Sequence, residues 1–330
     1  MTSLQENLLP ICLRSVRGFH IGGHTVCVEG VEPGVIHSVP NMPPRVSNPN
    51  GHYMVGQMYV QHFALAQPRH PLPLLLWHGG GMTGSTWEQT PDGRPGWHEY
   101  FMRSGFDTCV SDAVDRGRAS WAPPLIRAEQ PEHRTIEQAW SIFRFGPASG
   151  FSLDPAQQMG YTGQRFPLGC LDSLNRQFVA RWTQSGNMTT EAYCALVKKM
   201  GRSVIVAHSE GARHAMTVAT QAAEHVAAIV LIEPAGAPEP HSGALKAIAH
   251  IPHCVVWGDY FAQSELWSGY RTRCDLWFDA LGAAGGSVTT LDMPARGVKG
   301  NSHLLMMDNN SDHIAGLITS WLDKTLTKRS

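Results

Sequence analysis

The sequence predicts an α/β fold in which a mostly parallel sheet is covered by helices on both faces. From Leu72 onward, short continuous apolar runs alternate with stretches of helical pattern. Such runs are typical of parallel strands that are buried on both sides. Of the 330 residues, 42% are apolar and 16% are charged, so the chain can form a large core as a single domain over 1–330.

The predicted strands fall into two groups. The first 65 residues combine Gly and Pro with alternating segments such as 57–64, which predicts half-exposed antiparallel strands. Buried strands are then expected at 72–77, 108–110, 204–206, 227–232, 254–257 and 288–291. A last helix is predicted at 313–322, capped by Ser311 or Asp312, because apolar residues recur there every three or four positions.

A long segment separates the strand that ends near Val110 from the strand before Ser209. More than ninety residues lie between the two strands, whereas a strand–helix–strand crossover needs only about 30. The surplus, roughly 123–190, is rich in aromatic residues. A cap or lid inserted over the catalytic face would explain both the length and the aromatic content. The alternative is that these aromatics build only a small core within the insertion.

The segment around Ser209 has the pattern of a sharp strand-to-helix turn. It follows the apolar run 204–206 and precedes an Ala-rich helical stretch at 212–224. Ala207 and Gly211, two residues on either side of the serine, are small enough for a strained turn that lifts the hydroxyl clear of the sheet. The pattern therefore predicts a serine hydrolase with Ser209 as the nucleophile.

A glycine run follows the predicted strand at 72–77. His78 is followed there by Gly79, Gly80 and Gly81. Glycine lets backbone N–H groups turn inward without a Cβ in the way, and acyl transfer needs such donors for the oxyanion of its tetrahedral intermediate. A tight turn or a phosphate loop would be the alternative. The patterns of nucleotide-binding loops are missing, however, so an oxyanion hole is favoured.

Together these motifs resemble those of the α/β-hydrolase family. Five landmarks match in order over about residues 70 to 325, namely the glycine run with Trp87 beyond it, 112–120 after the next strand, the Ser209 turn, 255–259, and Ser302 with His303 before the final helix. The resemblance implies an eight-stranded, mostly parallel sheet with a cap.

The resemblance also implies a catalytic histidine on the loop after the last strand. His303 lies there, between the strand predicted at 288–291 and the final helix. His313 is the competitor. It falls in the first turn of the final helix, where a surface or capping role is expected.

The third triad member departs from the common family pattern, which places an aspartate shortly after strand seven. Phe261 occupies that position, and Asp259 comes too early. Glu233 follows the preceding buried strand, as does the triad acid in a minority of esterases, some of them bacterial. There it could accept a hydrogen bond from Nδ1–H of His303. Asp259 stays an alternative acid, and Glu233 could instead cap the helix that follows it.

The resemblance implies a serine carboxylesterase that forms an acyl-enzyme on Ser209. Its oxyanion would be held by the backbone N–H of Glu210 and by one from Gly80 or Gly81. The pocket is predicted to include two neighbours of these motifs, Met82 and His208.

The expected reaction is hydrolysis of carboxylic esters of small to medium, largely apolar substrates, with no cofactor and no metal. Amide, lactone or carbon–carbon bond hydrolysis is an alternative, as is a catalytically silent ligand-binding protein. Dehalogenase and epoxide hydrolase activities are disfavoured because they rely on a carboxylate where this chain has Ser209.

Composition sets further expectations about partners and location. The net charge is −1 without a basic block, which argues against nucleic acid and anionic membranes as partners, and no apolar run reaches 18 residues. The N-terminus lacks a signal-peptide pattern, and seven scattered cysteines show no CxxC pair, so a cytoplasmic protein with reduced thiols is expected. The seventeen histidines show no metal-ligand spacing. A homodimer would suit an esterase of this size.

Overall fold

An eight-stranded sheet organises the computed structural model, which describes residues 9–327. The strands are β1 Leu13–Val28, β2 Gly34–Ile36, β3 Arg45–Ser47, β4 Gly51–Leu65, β5 Leu74–Trp77, β6 Thr108–Asp112, β7 Ser203–His208, β8 Val226–Ile232, β9 His253–Trp257 and β10 Val288–Asp292. The spatial order of the large sheet is β1-β4-β6-β5-β7-β8-β9-β10, and β2 pairs with β3 separately. Strands β5 to β10 are parallel, whereas β1 and β4 join antiparallel at one edge.

Helices cover both faces of this sheet. They are α1 Trp97–Arg103, α2 Ile136–Ile142, α3 Leu171–Asn175, α4 Gly186–Met200, α5 Glu210–Gln221, α6 Ser242–Ile248, α7 Glu265–Ala283 and α8 Ser311–Thr327. Side chains alternate across a strand, so Leu75 and Trp77 of β5 join one buried cluster with α4 to α7. Leu74 and Leu76 join a second cluster with α1, α8 and aromatics of the insertion. The predicted fold class, a mostly parallel sheet between two helical layers, is confirmed.

The predicted elements match the structure except at some ends. β5 begins at Leu74 rather than Leu72, because Pro73 has no N–H for the ladder. The final helix extends over Ser311–Thr327. The predicted N-cap of this helix is therefore wrong, since Ser311 and Asp312 already belong to the helix.

The predicted insertion at 123–190 contains α2, α3 and the start of α4, joined by irregular segments. Four of its aromatic side chains are at most 3% exposed and belong to the large cluster that includes β5 and α8: Trp140, Phe143, Phe145 and Phe166. They therefore pack against the main core as well as against one another. The boundaries of a cap stay a prediction.

Within residues 9–327, no helix combines the length and hydropathy needed to cross a bilayer.

Candidate active site

Ser209 occupies a strained turn between β7 and α5. Its backbone has φ 54° and ψ −115°, a region that residues other than glycine rarely adopt. Gly211 permits the turn, because a Cβ at that position would lie 2.5 Å from the carbonyl oxygen of His78. The backbone of the turn thus packs directly on the glycine run that follows β5.

His78 fixes the conformation of that glycine run. The N–H of Ala113 donates to Nε2 of His78 at 3.0 Å, so the ring proton lies on Nδ1, which donates to the carbonyl oxygen of Gly79 at 2.8 Å. A Cβ on Gly79 would lie 3.0 Å from the Cβ of Ser209. The run therefore needs glycine in order to approach the serine this closely.

Of the residues expected at the oxyanion hole, Gly80 and Glu210 line the cavity of Ser209 and Gly81 does not. Gly80 and Met82 line the same cavity as the serine, whereas Gly81, with φ +70°, lines an adjoining one. Glu210 begins α5, and the first N–H groups of a helix have no acceptor within it. This leaves the Glu210 N–H available beside the serine.

His303 and Glu233 meet in the interior of the protein. Nδ1 of His303 lies 3.0 Å from Oε2 of Glu233, and both side chains are at most 1% exposed. Glu233 directly follows β8, has a positive φ of 49°, and accepts a hydrogen bond at Oε1 from the N–H of Gly258. With Nδ1–H facing the carboxylate, Nε2 of the neutral imidazole carries the lone pair.

Charges and burial set the protonation state of this pair. Burial, followed by the charges of Arg144 and Arg134, holds the pKa of His303 well below its ordinary value of 6.5. Burial raises the pKa of Glu233, and Arg144 opposes that rise. A neutral imidazole at neutral pH is the state that a general base requires.

Arg144 is a member of the site that the sequence did not indicate. Its Nη2 lies 2.8 Å from Oε2 of Glu233, and its Nε donates to the carbonyl oxygen of Asp259 at 2.8 Å. The side chain is 1% exposed and its guanidinium lies over the ring of Phe261, 4.3 Å from the centroid. Because Arg144 follows α2, the insertion contributes directly to the surroundings of Glu233.

Asp259, the alternative acid, makes other contacts. Its carboxylate accepts hydrogen bonds from the N–H groups of Tyr260 at 2.7 Å and Gly300 at 2.8 Å. It therefore joins the turn after β9 to the segment that leads to His303. His313 is exposed in the first turn of α8.

The loop that carries His303 is held by buried polar groups. Asp308, which is 0% exposed, accepts hydrogen bonds from Asn301 Nδ2, Ser302 N and Ser302 Oγ. Burial raises the pKa of Asp308 to about 6, and its bonds to Asn301 and Ser302 oppose that rise. Nε2 of His208 donates to the carbonyl oxygen of His303 at 3.0 Å. His208, expected to line the pocket, thus also supports the loop.

Ser209 and His303 line one cavity of about 110 Å³. Its walls include Phe143, one of the aromatic residues of the predicted insertion. They also include residues that the sequence did not single out: Arg134, Ile142, Arg181, Ala235, Leu266, Trp267 and Tyr270. The ring of Trp267 lies 3.9 Å from that of His303 between centroids. Arg134 and Arg181 also line the adjoining cavity of about 410 Å³.

Glu210 remains charged beside Ser209. Burial would raise the pKa of Glu210, but Arg181 and Arg116 outweigh it and lower the pKa to about 2. Arg181 Nη2 lies 2.8 Å from the Glu210 carboxylate, and Arg116 Nη2 lies 3.8 Å from it.

Across residues 9–327, no group of three or more His, Cys, Asp or Glu side chains could hold a metal ion.

Comparison with known proteins identifies relatives of this chain. No protein-family model matches it. The probable secreted lipase phiG of Fungal sp. (strain ATCC 74256) is 24% identical in an alignment that covers 83% of this chain and 88% of that protein. The solved structure of a novel bacterial esterase is 32% identical with a TM-score of 0.81, and the match covers 96% of this chain and 98% of that one. The chain therefore belongs to the α/β-hydrolase superfamily as a carboxylesterase-type hydrolase that acts on esters.

Proposed function

We propose that this hydrolase cleaves carboxylic esters through an acyl-enzyme on Ser209, with His303 as the base and Glu233 as the acid that orients it. One observation carries the proposal. The serine on the strained turn and the histidine line the same cavity, and Nδ1 of that histidine lies 3.0 Å from a buried carboxylate. A serine and a histidine that share a cavity, with a carboxylate at Nδ1 of that histidine, support serine acyl transfer.

The reaction has two halves. Oγ of Ser209 attacks the ester carbonyl carbon while Nε2 of His303 takes the hydroxyl proton, and Glu233 stabilises the imidazolium. The tetrahedral intermediate collapses as the C–O bond to the alcohol breaks, and the imidazolium gives its proton to the leaving oxygen. Water then attacks the acyl-serine, with His303 accepting its proton. The acid leaves as the C–Oγ bond breaks and the imidazolium returns its proton to Oγ of Ser209.

The oxyanion of each intermediate needs fixed donors. We assign them to the backbone N–H of Glu210 and to one N–H from Gly80 or Gly81, with Gly80 favoured because it lines the cavity of Ser209. Losing one such donor typically raises the barrier by about 3 kcal/mol. His78 contributes indirectly, since it holds the glycine run through Gly79.

The cavity favours a small acyl group. A volume of about 110 Å³ is below the roughly 150 Å³ in which an apolar protein cavity binds benzene. Met82, Phe143 and Trp267 provide apolar walls. Turnover of p-nitrophenyl esters should therefore be faster for acetate and butyrate than for octanoate.

Active-site labelling tests the mechanism. A fluorophosphonate probe should label the wild type, and Ser209→Ala should lose both the label and p-nitrophenyl ester turnover. Ser203→Ala is the matched control, because Ser203 is another buried serine, at the start of β7, and its Oγ has no hydrogen-bond partner in the described structure. It should keep both. A Ser209→Ala variant that retains turnover, or a wild type without label, would contradict the serine mechanism.

Location in the cytoplasm and a homodimeric state stay predictions.

A further inference from the structure

Arg134 lies between the two cavities at the candidate active site. Its side chain lines both the cavity of Ser209 and the larger adjoining one. The guanidinium lies over the rings of Phe143 and Phe178, 4.9 and 5.6 Å from their centroids. Its Nη2 donates to the carbonyl oxygen of Gly80 at 3.2 Å. Two rings and the glycine run thus hold this cation beside the reacting centre.

The other cations around these cavities have carboxylate partners. Arg181 lies within 3.2 Å of both Glu210 and Glu132, and Arg116 lies 3.8 Å from Glu210. Arg144 lies 2.8 Å from Glu233. The carboxylates of Glu132, Glu210 and Glu233 are therefore already paired with these arginines.

Arg134 is different from these three arginines. Among residues 9–327 no carboxylate pairs with it. Its buried Nη1 has no hydrogen-bond partner, a feature that it shares with Arg116 Nε and Arg144 Nη1. Buried polar atoms are nearly always satisfied in folded proteins, and a guanidinium offers five donors in a fork that matches a carboxylate. An anionic group in the cavity would give Arg134 the carboxylate partner that the protein does not provide.

We propose that the substrate is an ester that carries a carboxylate, and that Arg134 binds this carboxylate while the ester carbonyl lies at Ser209. The inference rests on the proposed function and specifies its substrate class. The adjoining cavity of about 410 Å³ has room for the part of the substrate that bears the charge. The substrate then has an apolar body next to the triad and one anionic end.

Matched pairs of esters test the proposal for either side of the ester bond. On the alcohol side, 4-carboxyphenyl acetate is compared with its neutral amide, 4-carbamoylphenyl acetate. On the acyl side, mono-4-nitrophenyl suberate is compared with 4-nitrophenyl octanoate. In at least one pair, the wild type should show a kcat/KM about tenfold or more higher for the acid, the size expected for a charge-assisted contact.

Substitution of Arg134 distinguishes binding of the substrate carboxylate from structural support of the glycine run. Arg134→Met should bring the acid-to-neutral ratio of kcat/KM close to one, and Arg134→Lys should keep part of it because the charge remains. Arg176→Met is the matched control. It removes an exposed cation of the same insertion that pairs with Asp172, and the ratio should not change. Thermal unfolding of each variant verifies that it is folded.

Several outcomes would overturn the proposal. One is a wild type that cleaves both members of each pair equally well, or prefers the neutral one. Another is an Arg134→Met variant that loses activity on both members by the same factor, which would mean that Arg134 only supports the glycine run through Gly80. Failure of the proposed function is distinct, because the wild type would then cleave no ester and Ser209 would not react with the fluorophosphonate.

Discussion

Arg144 Nη2 lies 2.8 Å from Oε2 of Glu233, the same oxygen that faces Nδ1 of His303 at 3.0 Å. The carboxylate is therefore shared between a cation from the insertion and the imidazole. Because both Arg144 and Glu233 are at most 1% exposed, the guanidinium compensates a charge that burial would otherwise penalise. The insertion thus provides the cation that pairs with Glu233.

Arg144→Met should destabilise the fold and lower kcat. Removing one partner of a buried ion pair typically costs about 3–5 kcal/mol, since the other charge remains buried. Arg271→Met is the control, because Arg271 also lies over the ring of Phe261 but pairs with Asp292, away from Glu233. Denaturant unfolding and ester turnover measure both effects. Equal losses in the two variants would contradict a specific role for Arg144.

Glu233→Gln and Asp259→Asn distinguish the two candidate acids. Glutamine cannot stabilise the imidazolium as a carboxylate does, so we expect kcat to fall by roughly 10³–10⁴. Asp259 instead binds the N–H groups of Tyr260 and Gly300. We therefore expect Asp259→Asn to change kcat less than about tenfold, through the loss of one hydrogen bond that supports the loop. The reverse order of effects would identify Asp259 as the triad acid.

The pH dependence of kcat/KM should report the lowered pKa of His303. The imidazole acts as a base only when neutral, so activity is lost as the pH falls through its pKa. Burial and the charges of Arg144 and Arg134 keep the pKa of His303 below 6.5, so the acid limb should lie below pH 6.5. Each of these cations repels the imidazolium, so removing either one should raise the pKa of His303. Arg144→Met and Arg134→Met should therefore move the limb to higher pH, and an unchanged or lowered limb would contradict this assignment.

The sequence contained local signals for part of this site. The turn at Ser209 and the glycine run after β5 each depend on neighbouring small residues, so their spacing alone could indicate them. Most of the parallel strands could be predicted because they are continuous apolar runs. β10 is the exception, since it has two threonines and only Leu291 is buried. The starts of β5 and α8 differ from the prediction, because Pro73 has no N–H for the ladder and sequence patterns define helix ends poorly.

The charged partners had no such signal. Arg144 reaches Glu233, and Arg134 reaches Gly80, only because the insertion folds back over the sheet. No pattern in 123–190 encodes that path, and a lone arginine in an aromatic segment usually indicates nothing more than a solvated charge. The choice between Glu233 and Asp259 likewise depends on which carboxylate the chain directs towards His303, a tertiary property.

Asp308 should stabilise the loop of His303. Its buried carboxylate accepts three hydrogen bonds, from Asn301 Nδ2, Ser302 N and Ser302 Oγ. Asp308→Ala would leave these donors unsatisfied, and each buried unsatisfied group costs about 1–3 kcal/mol. We therefore expect a loss of unfolding free energy of about 3 kcal/mol or more, together with lower kcat because His303 follows Ser302 directly.

Asp308→Asn separates the hydrogen bonds from the charge. The amide oxygen can still accept from Asn301 and Ser302 N, while its NH₂ group can donate to Ser302 Oγ. We expect it to lose less than half the unfolding free energy that Asp308→Ala loses, and to retain most of the activity. Chemical denaturation and p-nitrophenyl acetate turnover, measured on both variants, provide the comparison. If Asn proved as damaging as Ala in both measurements, the charge of Asp308 rather than its hydrogen bonds would be what positions the catalytic loop.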